Sequence, residues 1–120
     1  MQEFHAILVD KSLSDQSILG GLKIISQKND GGWVLYKIKA AEQDLDSLIP
    51  KIQSIMNPGG WYFHFYNSDG SKLIVVFKDR FFKISNDKST WTTAINHGQK
   101  LGTPIEQLDF IPNTFVGEEY

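Results

Sequence analysis

Residues 61–84, WYFHFYNSDGSKLIVVFKDRFFKI, contain the pattern that decides the predicted fold. Three runs rich in aromatic and β-branched residues are separated by short polar segments at residues 67–70 and 79–80. Such runs are typical of β-strands, and an Asp-Gly pair between two of them is typical of a tight hairpin. The stretch therefore predicts a three-stranded antiparallel meander.

The NSDG turn sets the predicted register of the first hairpin. A type I turn followed by Gly70 in the left-handed region gives a three-residue loop that pairs Asn67 with Ser71. Pairing Asn67 with Gly70 instead would place Lys72 opposite Phe65, on an otherwise apolar face. The favoured register predicts one continuous core face, made of Trp61, Phe63, Phe65, Leu73, Val75, Phe77, Phe82 and Ile84.

The other face of the predicted meander mixes rings, cations and aliphatic side chains. It would carry Tyr62, His64, Tyr66, Lys72, Ile74, Val76, Lys78, Phe81 and Lys83. A solvent-facing side of an antiparallel sheet is normally more polar, so this face indicates contact with something. The sequence favours cover by another part of the chain, or by a second copy in a homodimer, over a small-ligand site.

The residues before the meander predict three more strands and a helix. Residues 4–9 form the first strand, and one helical turn capped by Ser12 or Ser14 follows it. Residues 22–28 and 33–40 flank NDGG, which is a hairpin signal compatible with a loop of two, three or four residues. All these segments are short and are bounded by turn residues.

Two apolar stripes at helical spacing predict the main helices. The first helix covers residues 42–57, and Pro50 either kinks it or makes it begin near Asp46. The second helix ends at Gly102 and includes Gly98, where close packing is favoured over contact with a ligand. Its stripe consists of Trp91, Ala94, Ile95, Gly98 and Leu101.

The order of elements predicts an α+β domain over residues 1–111, with a loosely ordered tail over 112–120. A largely antiparallel sheet, built from two hairpin or meander blocks, would have two main helices packed mainly on one face. The first six elements, taken as βαββαβ, allow a ferredoxin-like variant.

Composition excludes several classes of protein. The chain has 120 residues, no cysteine and a net charge of −2, so it fits one soluble domain without disulfides, thiolate-bound metals or a basic nucleic-acid surface. The apolar run at residues 4–9 is too short for a signal sequence or a membrane span, and we expect a cytoplasmic protein. His5, His64 and His97 lack metal-ligand spacing, so we expect neither a metal nor a cofactor.

The sequence assigns no catalytic residue, because it has no nucleophile motif and no phosphate-binding fingerprint. It favours a non-enzymatic binding or interaction module that uses the aromatic sheet face. This face would contact a second copy of the chain in a homodimer, another protein or a small ligand. The candidate binding residues are Tyr62, His64, Tyr66, Phe81, Trp91 and His97. The alternative is a small enzyme in which His64 or His97 acts as acid or base.

The segments GWYFHFYN, KLIVVFKDRFFKI and STWTTAINHGQKLGTPIEQLDF together resemble a family of small uncharacterised prokaryotic proteins. Each member is a single α+β domain with a Trp-Tyr strand, a Val-Val-Phe strand and a closing Gly-x-Pro-x-x-Gln-Leu-Asp-Phe segment. The resemblance covers about residues 4–111. It implies an α+β fold and a prokaryotic origin, and because the family has no assigned activity it implies no site residue.

Overall fold

Six antiparallel strands form a single sheet in the computed structural model, which describes residues 2–108 and 110. The strands are β1 (Glu3–Val9), β2 (Lys23–Asp30), β3 (Trp33–Ala41), β4 (Tyr62–Asn67), β5 (Lys72–Phe77) and β6 (Phe81–Ser85). The helices are α1 (Leu45–Ser54) and α2 (Thr92–Lys100), with short 3-10 segments at Asp10–Ser12, Gln16–Gly21, Glu42–Asp44, Lys88–Thr90 and Ile105–Gln107. The predicted tail over 112–120 lies outside the described residues.

The strand order β2-β3-β1-β4-β5-β6 confirms the α+β class. Among the first four strands, β3 lies between β1 and β2, and β1 lies between β3 and β4. This is a pair of split βαβ units, as the ferredoxin-like variant requires, although 3-10 turns stand in place of the first helix. β5 and β6 extend the sheet beyond β4.

The β2–β3 hairpin uses the shortest loop that the sequence allows. Asp30 pairs with Trp33, so Gly31 and Gly32 alone form the turn. Both glycines have positive φ, 58° and 87°. Two positive values are typical of a type I′ turn, whose twist matches that of the strands and which glycine adopts without steric cost.

The predicted register of the β4–β5 hairpin is wrong by one residue. Phe65 pairs with Ile74 rather than with Leu73. The loop is one residue longer than expected because the Asn67 side chain takes part in it: its Oδ1 accepts a hydrogen bond from the Lys72 amide at 3.0 Å. After a shift of one residue, side chains of one strand that would share a sheet face with one set of side chains on the neighbouring strand share it with the alternate set instead.

As a result, each face of the sheet carries its own core and its own helix. On one face α1 packs on a cluster that includes Ala6, Ile38, Phe63, Phe65, Ile74 and Val76. On the other face α2 packs on a cluster that includes Tyr66, Leu73, Val75, Phe77, Leu108 and Phe110. The expectation that both helices pack mainly on one face is therefore wrong. The unbroken burial of residues 73–77 is what a strand covered on both sides requires.

The helices begin and end close to where the stripes predict. α1 begins at Leu45, which places Pro50 in its second turn rather than at a kink in a longer helix. Gly98 faces the core: an added Cβ would lie 2.6 Å from Leu108 Cδ2 and 3.3 Å from the Phe77 ring. Close packing of α2 on the sheet is therefore the physical reason for a glycine at this position.

Candidate functional site

The six candidate binding residues do not form one surface. Tyr62, His64 and Tyr66 lie on the α2 side of β4 because each alternates with Phe63 or Phe65 along the strand. Phe81 pairs with Val76 and so lies on the α1 side. The predicted Tyr62/His64/Tyr66/Phe81 face is therefore wrong, since the sheet separates Phe81 from the other three.

Two of the candidates serve the packing of the α2 side. Trp91 is 3% exposed, and its indole Nε1 donates a hydrogen bond to the Ser85 carbonyl at 2.8 Å. The Tyr62 hydroxyl donates to the Gln107 carbonyl and so ties β4 to the segment after α2. These contacts satisfy the polar ends of large rings inside or beside the core.

His64 is a partly buried imidazole beside other rings. Its centroid lies 6.2 Å from that of Tyr66 and 6.5 Å from that of Phe110. A small cavity of about 190 Å³ lies beside it, lined by Ile7, Tyr62, Phe63, His64 and Tyr66. Within residues 2–108 and 110 no carboxylate orients this ring, and burial lowers the pKa of His64 to about 4. The imidazole is therefore neutral near pH 7.

We expect His64 to make the fold sensitive to acid. The pKa of His64 is about 4 in the folded protein, against 6.5 for a solvated histidine, so the unfolded chain binds the proton first as pH falls. This stabilising contribution is complete above pH 6.5 and is lost between there and pH 4, which amounts to up to about 3 kcal/mol.

Urea unfolding of the wild type and of His64→Gln, near neutral pH and at about pH 4, measures this contribution. The wild type is expected to lose more free energy of unfolding than the variant on acidification. An equal loss in both proteins would show that His64 does not titrate differently on folding.

His97 has a carboxylate partner. Its Nε2 lies 2.7 Å from Asp79 Oδ1, and its ring centroid lies 5.2 Å from that of Phe77 and 5.6 Å from that of Phe82. The hydrogen bond from His97 holds the pKa of the Asp79 carboxyl below its usual range. A shallow cleft of about 260 Å³ opens beside the pair, lined by Arg80, Phe82, Thr93, Asn96, His97 and Lys100.

Sequence reasoning missed Asp79 as the partner of His97. Asp79 lies in the β5–β6 turn, where an aspartate is expected for its turn propensity alone. His97 follows 18 positions later, on α2. The two meet only because α2 packs across this end of the hairpin, and no local spacing rule predicts that contact.

A larger groove lies on the α1 side of the sheet, which we call the α1 groove. Its volume is about 460 Å³, and it runs between the start of α1 and strands β5 and β6. It is lined by Phe4, Glu42, Leu45, Asp46, Ile49, Lys72, Leu73, Ile74, Lys83 and Ile84. Three of these, Lys72, Ile74 and Lys83, belong to the mixed face that the sequence predicts.

The α1 groove combines an apolar floor with charged rims. Phe4, Leu45 and Ile49 are at most 3% exposed, whereas the lysines and carboxylates at the edges are exposed. Glu42 and Asp46 lie on the helix side. Across the part of the chain that the structure describes, none of the four charged side chains makes an ion pair. The groove is thus amphiphilic, with an apolar floor between charged edges.

Residues 2–108 and 110 contain no cluster of three or more histidine, aspartate or glutamate side chains with metal-binding geometry. Besides His97, which pairs with Asp79, His5 also lies beside a carboxylate: its Nε2 is 3.2 Å from Glu3 Oε2. Over the same residues, none of the helices has the length and apolar character that crossing a bilayer requires.

Comparison of the chain with protein-family models, with curated proteins and with solved structures gave no match. The resemblance to a family of small prokaryotic proteins therefore stays a prediction. The geometry of the α1 groove and of the Asp79–His97 pair is what bears on function.

Proposed function

We propose that this chain is a non-enzymatic binding module and that a small amphiphilic ligand binds in the α1 groove. The observation that carries the proposal is a groove of about 460 Å³ with an apolar floor and with charged rims that form no ion pair within the described residues. Small-ligand sites typically measure about 300–1,000 Å³ and combine apolar walls with a few polar groups. The cavity beside His64 and the cleft beside His97 are both smaller than this range.

The position of the groove supports the proposal as well. α1 covers the centre of the sheet and leaves part of β5 and β6 open, where Lys72, Ile74 and Lys83 share one face. These three residues belong to the semi-apolar face that the sequence singles out as a contact surface. A homodimer contact through Tyr62, His64, Tyr66 and Phe81 does not fit this sheet, which separates Phe81 from the other three, while a cytoplasmic location and the absence of nucleic-acid partners stay predictions.

Two small amphiphiles of opposite charge, phenylbutyrate and phenylbutylamine, test the groove without assuming the ligand's charge. We expect saturable changes in the two-dimensional NMR spectrum that cluster at Leu45–Ile49 and around Ile74, with a Kd of about 1 mM or tighter.

Lys83→Trp, which places a ring across the groove, should abolish these changes. Gln27→Trp is the matched control, because Gln27 is an exposed residue of β2, at the opposite edge of the sheet from β6. Changes that are scattered over the surface, or that persist in Lys83→Trp, would refute binding in the groove.

The 2.7 Å contact between His97 and Asp79 favours a second candidate, a small enzyme with His97 as acid or base. A carboxylate that fixes the tautomer and orientation of an imidazole is the usual support for such a role. The test follows the His97 ring signals by NMR while substrate-like metabolites are added. If none of them shifts these signals in the wild type, the enzymatic candidate fails.

A further inference from the structure

We propose that the ligand of the α1 groove is a zwitterion with an apolar body, that is, an apolar amino acid or a short apolar peptide with free ends. The inference rests on the proposed function and adds the chemical class of the ligand. It is carried by the charges on the two sides of the groove and by the apolar floor between them.

The two sides of the groove have opposite charge. Asp46 lies in the first turn of α1, Glu42 begins the 3-10 segment that precedes this helix, and both residues line the groove. On the sheet, Lys83 is the cross-strand partner of Ile74, and Lys72 lies two residues before Ile74 on the same face. The two lysines therefore flank one apolar residue of the floor.

These charges select against simple ions. Two carboxylates and two ammonium groups sum to zero, so a simple anion near the lysines would also meet Glu42 and Asp46. A cation near the carboxylates would likewise meet the lysines. A molecule that is neutral overall but has separate positive and negative groups is attracted to both sides, and like-charge contacts are avoided.

The common structural role of such carboxylates explains only half of the arrangement. Acidic residues near a helix N-terminus stabilise the helix through its dipole, which accounts for Glu42 and Asp46. It does not account for two lysines that point to the same face as Ile74 and stay without an ion pair within the described residues.

The floor defines the rest of the ligand. Phe4, Leu45, Ile49 and Ile74 are each 6% exposed or less, so they are available to an incoming apolar group only at the bottom of the groove. Burying an aliphatic side chain there removes apolar surface from water and favours binding. A leucine-like side chain therefore fits this floor better than a small polar zwitterion such as glycylglycine.

Calorimetric titration with leucyl-leucine, its N-acetyl form and its C-terminal amide tests the charge requirement. Both modifications keep the apolar body and remove one charge each. Because the rim charges are exposed, we expect each modification to weaken binding about two- to fivefold. Glycylglycine should bind more weakly than any leucine peptide, and free leucine tests whether a single amino acid suffices.

Charge-removing variants then assign each end of the peptide. In Asp46→Asn, leucyl-leucine should weaken while the N-acetyl form, which has no ammonium group, should not change. In Lys83→Gln, leucyl-leucine should weaken while the amide should not change. Gln27→Asp, on the distant edge strand, should leave all the peptides unaffected.

The outcomes separate this inference from the function on which it rests. Equal or tighter binding of the acetyl or amide form in the same groove would overturn the zwitterion but keep the binding module. If neither these peptides nor the charged amphiphiles perturb the groove, both proposals fail together.

Discussion

Val76→Asp is expected to destabilise the protein by more than about 4 kcal/mol or to prevent folding, because it buries a carboxylate without a partner. Val76 is fully buried between the sheet and α1, in the cluster with Phe63, Phe65 and Ile74. The register predicted from the sequence would put Val76 on the mixed face of the meander, with Lys72, Lys78 and Lys83, and not in the cluster with Phe63 and Phe65. Urea unfolding followed by circular dichroism measures the difference.

Val76→Thr keeps the experiment informative if the aspartate variant does not fold. It conserves shape but buries a hydroxyl group, and we expect a loss of about 1–3 kcal/mol. Gln27→Asp is the control for introducing a carboxylate into an exposed strand position. A Val76→Asp protein as stable as this control would show that the face under α1 is open to solvent and that the two-sided core is incorrect.

Phe77→Ala is expected to cost about 3–5 kcal/mol of unfolding free energy, since it removes a whole buried ring and leaves a cavity. Phe77 is fully buried on the α2 side, with ring centroids 5.6 Å from Tyr62, 6.0 Å from Phe82 and 5.2 Å from His97. The same variant should loosen the contact between His97 and Asp79, because the ring that supports the imidazole is lost. Thermal or urea unfolding gives the first result, and the His97 ring signals in NMR give the second.

Two more truncations complete the comparison of the faces. Phe65→Ala, on the α1 side, should cost about as much as Phe77→Ala, roughly 3–5 kcal/mol, because Phe65 is fully buried under the other helix. Phe81 is 42% exposed, and Phe81→Ala should cost less than about 1 kcal/mol. If only one of the two buried phenylalanines proved costly, a core on a single face would be supported instead.

The candidate sites show the limit of prediction from the chain. Lys72, Ile74 and Lys83 could be identified as part of an unusual semi-apolar face, because strand alternation is a local property. The α1 groove was not predicted, because its carboxylate side comes from a helix whose position over the sheet no pattern specifies. Asp79 was missed as the partner of His97 for the same reason.

What the sequence by itself determined is local. Strand and helix periodicity placed the main elements, the Asp-Gly pair in NDGG marked the turn of the first hairpin without fixing its length, and two apolar stripes located α1 and α2. Each of these rests on interactions between residues that are close in the chain, so the pattern is sufficient evidence.

The tertiary structure alone decided which face each strand presents to which helix. One extra loop residue, stabilised by the Asn67 side chain, shifts the partner of Phe63 from Val75 to Val76 and that of Phe65 from Leu73 to Ile74. The run at residues 73–77 is apolar at every position, so alternation could not reveal the error, and only packing of helices on both sides distinguishes the registers. The free energy that selects the register comes from burial between distant elements, and the same long-range packing creates the α1 groove.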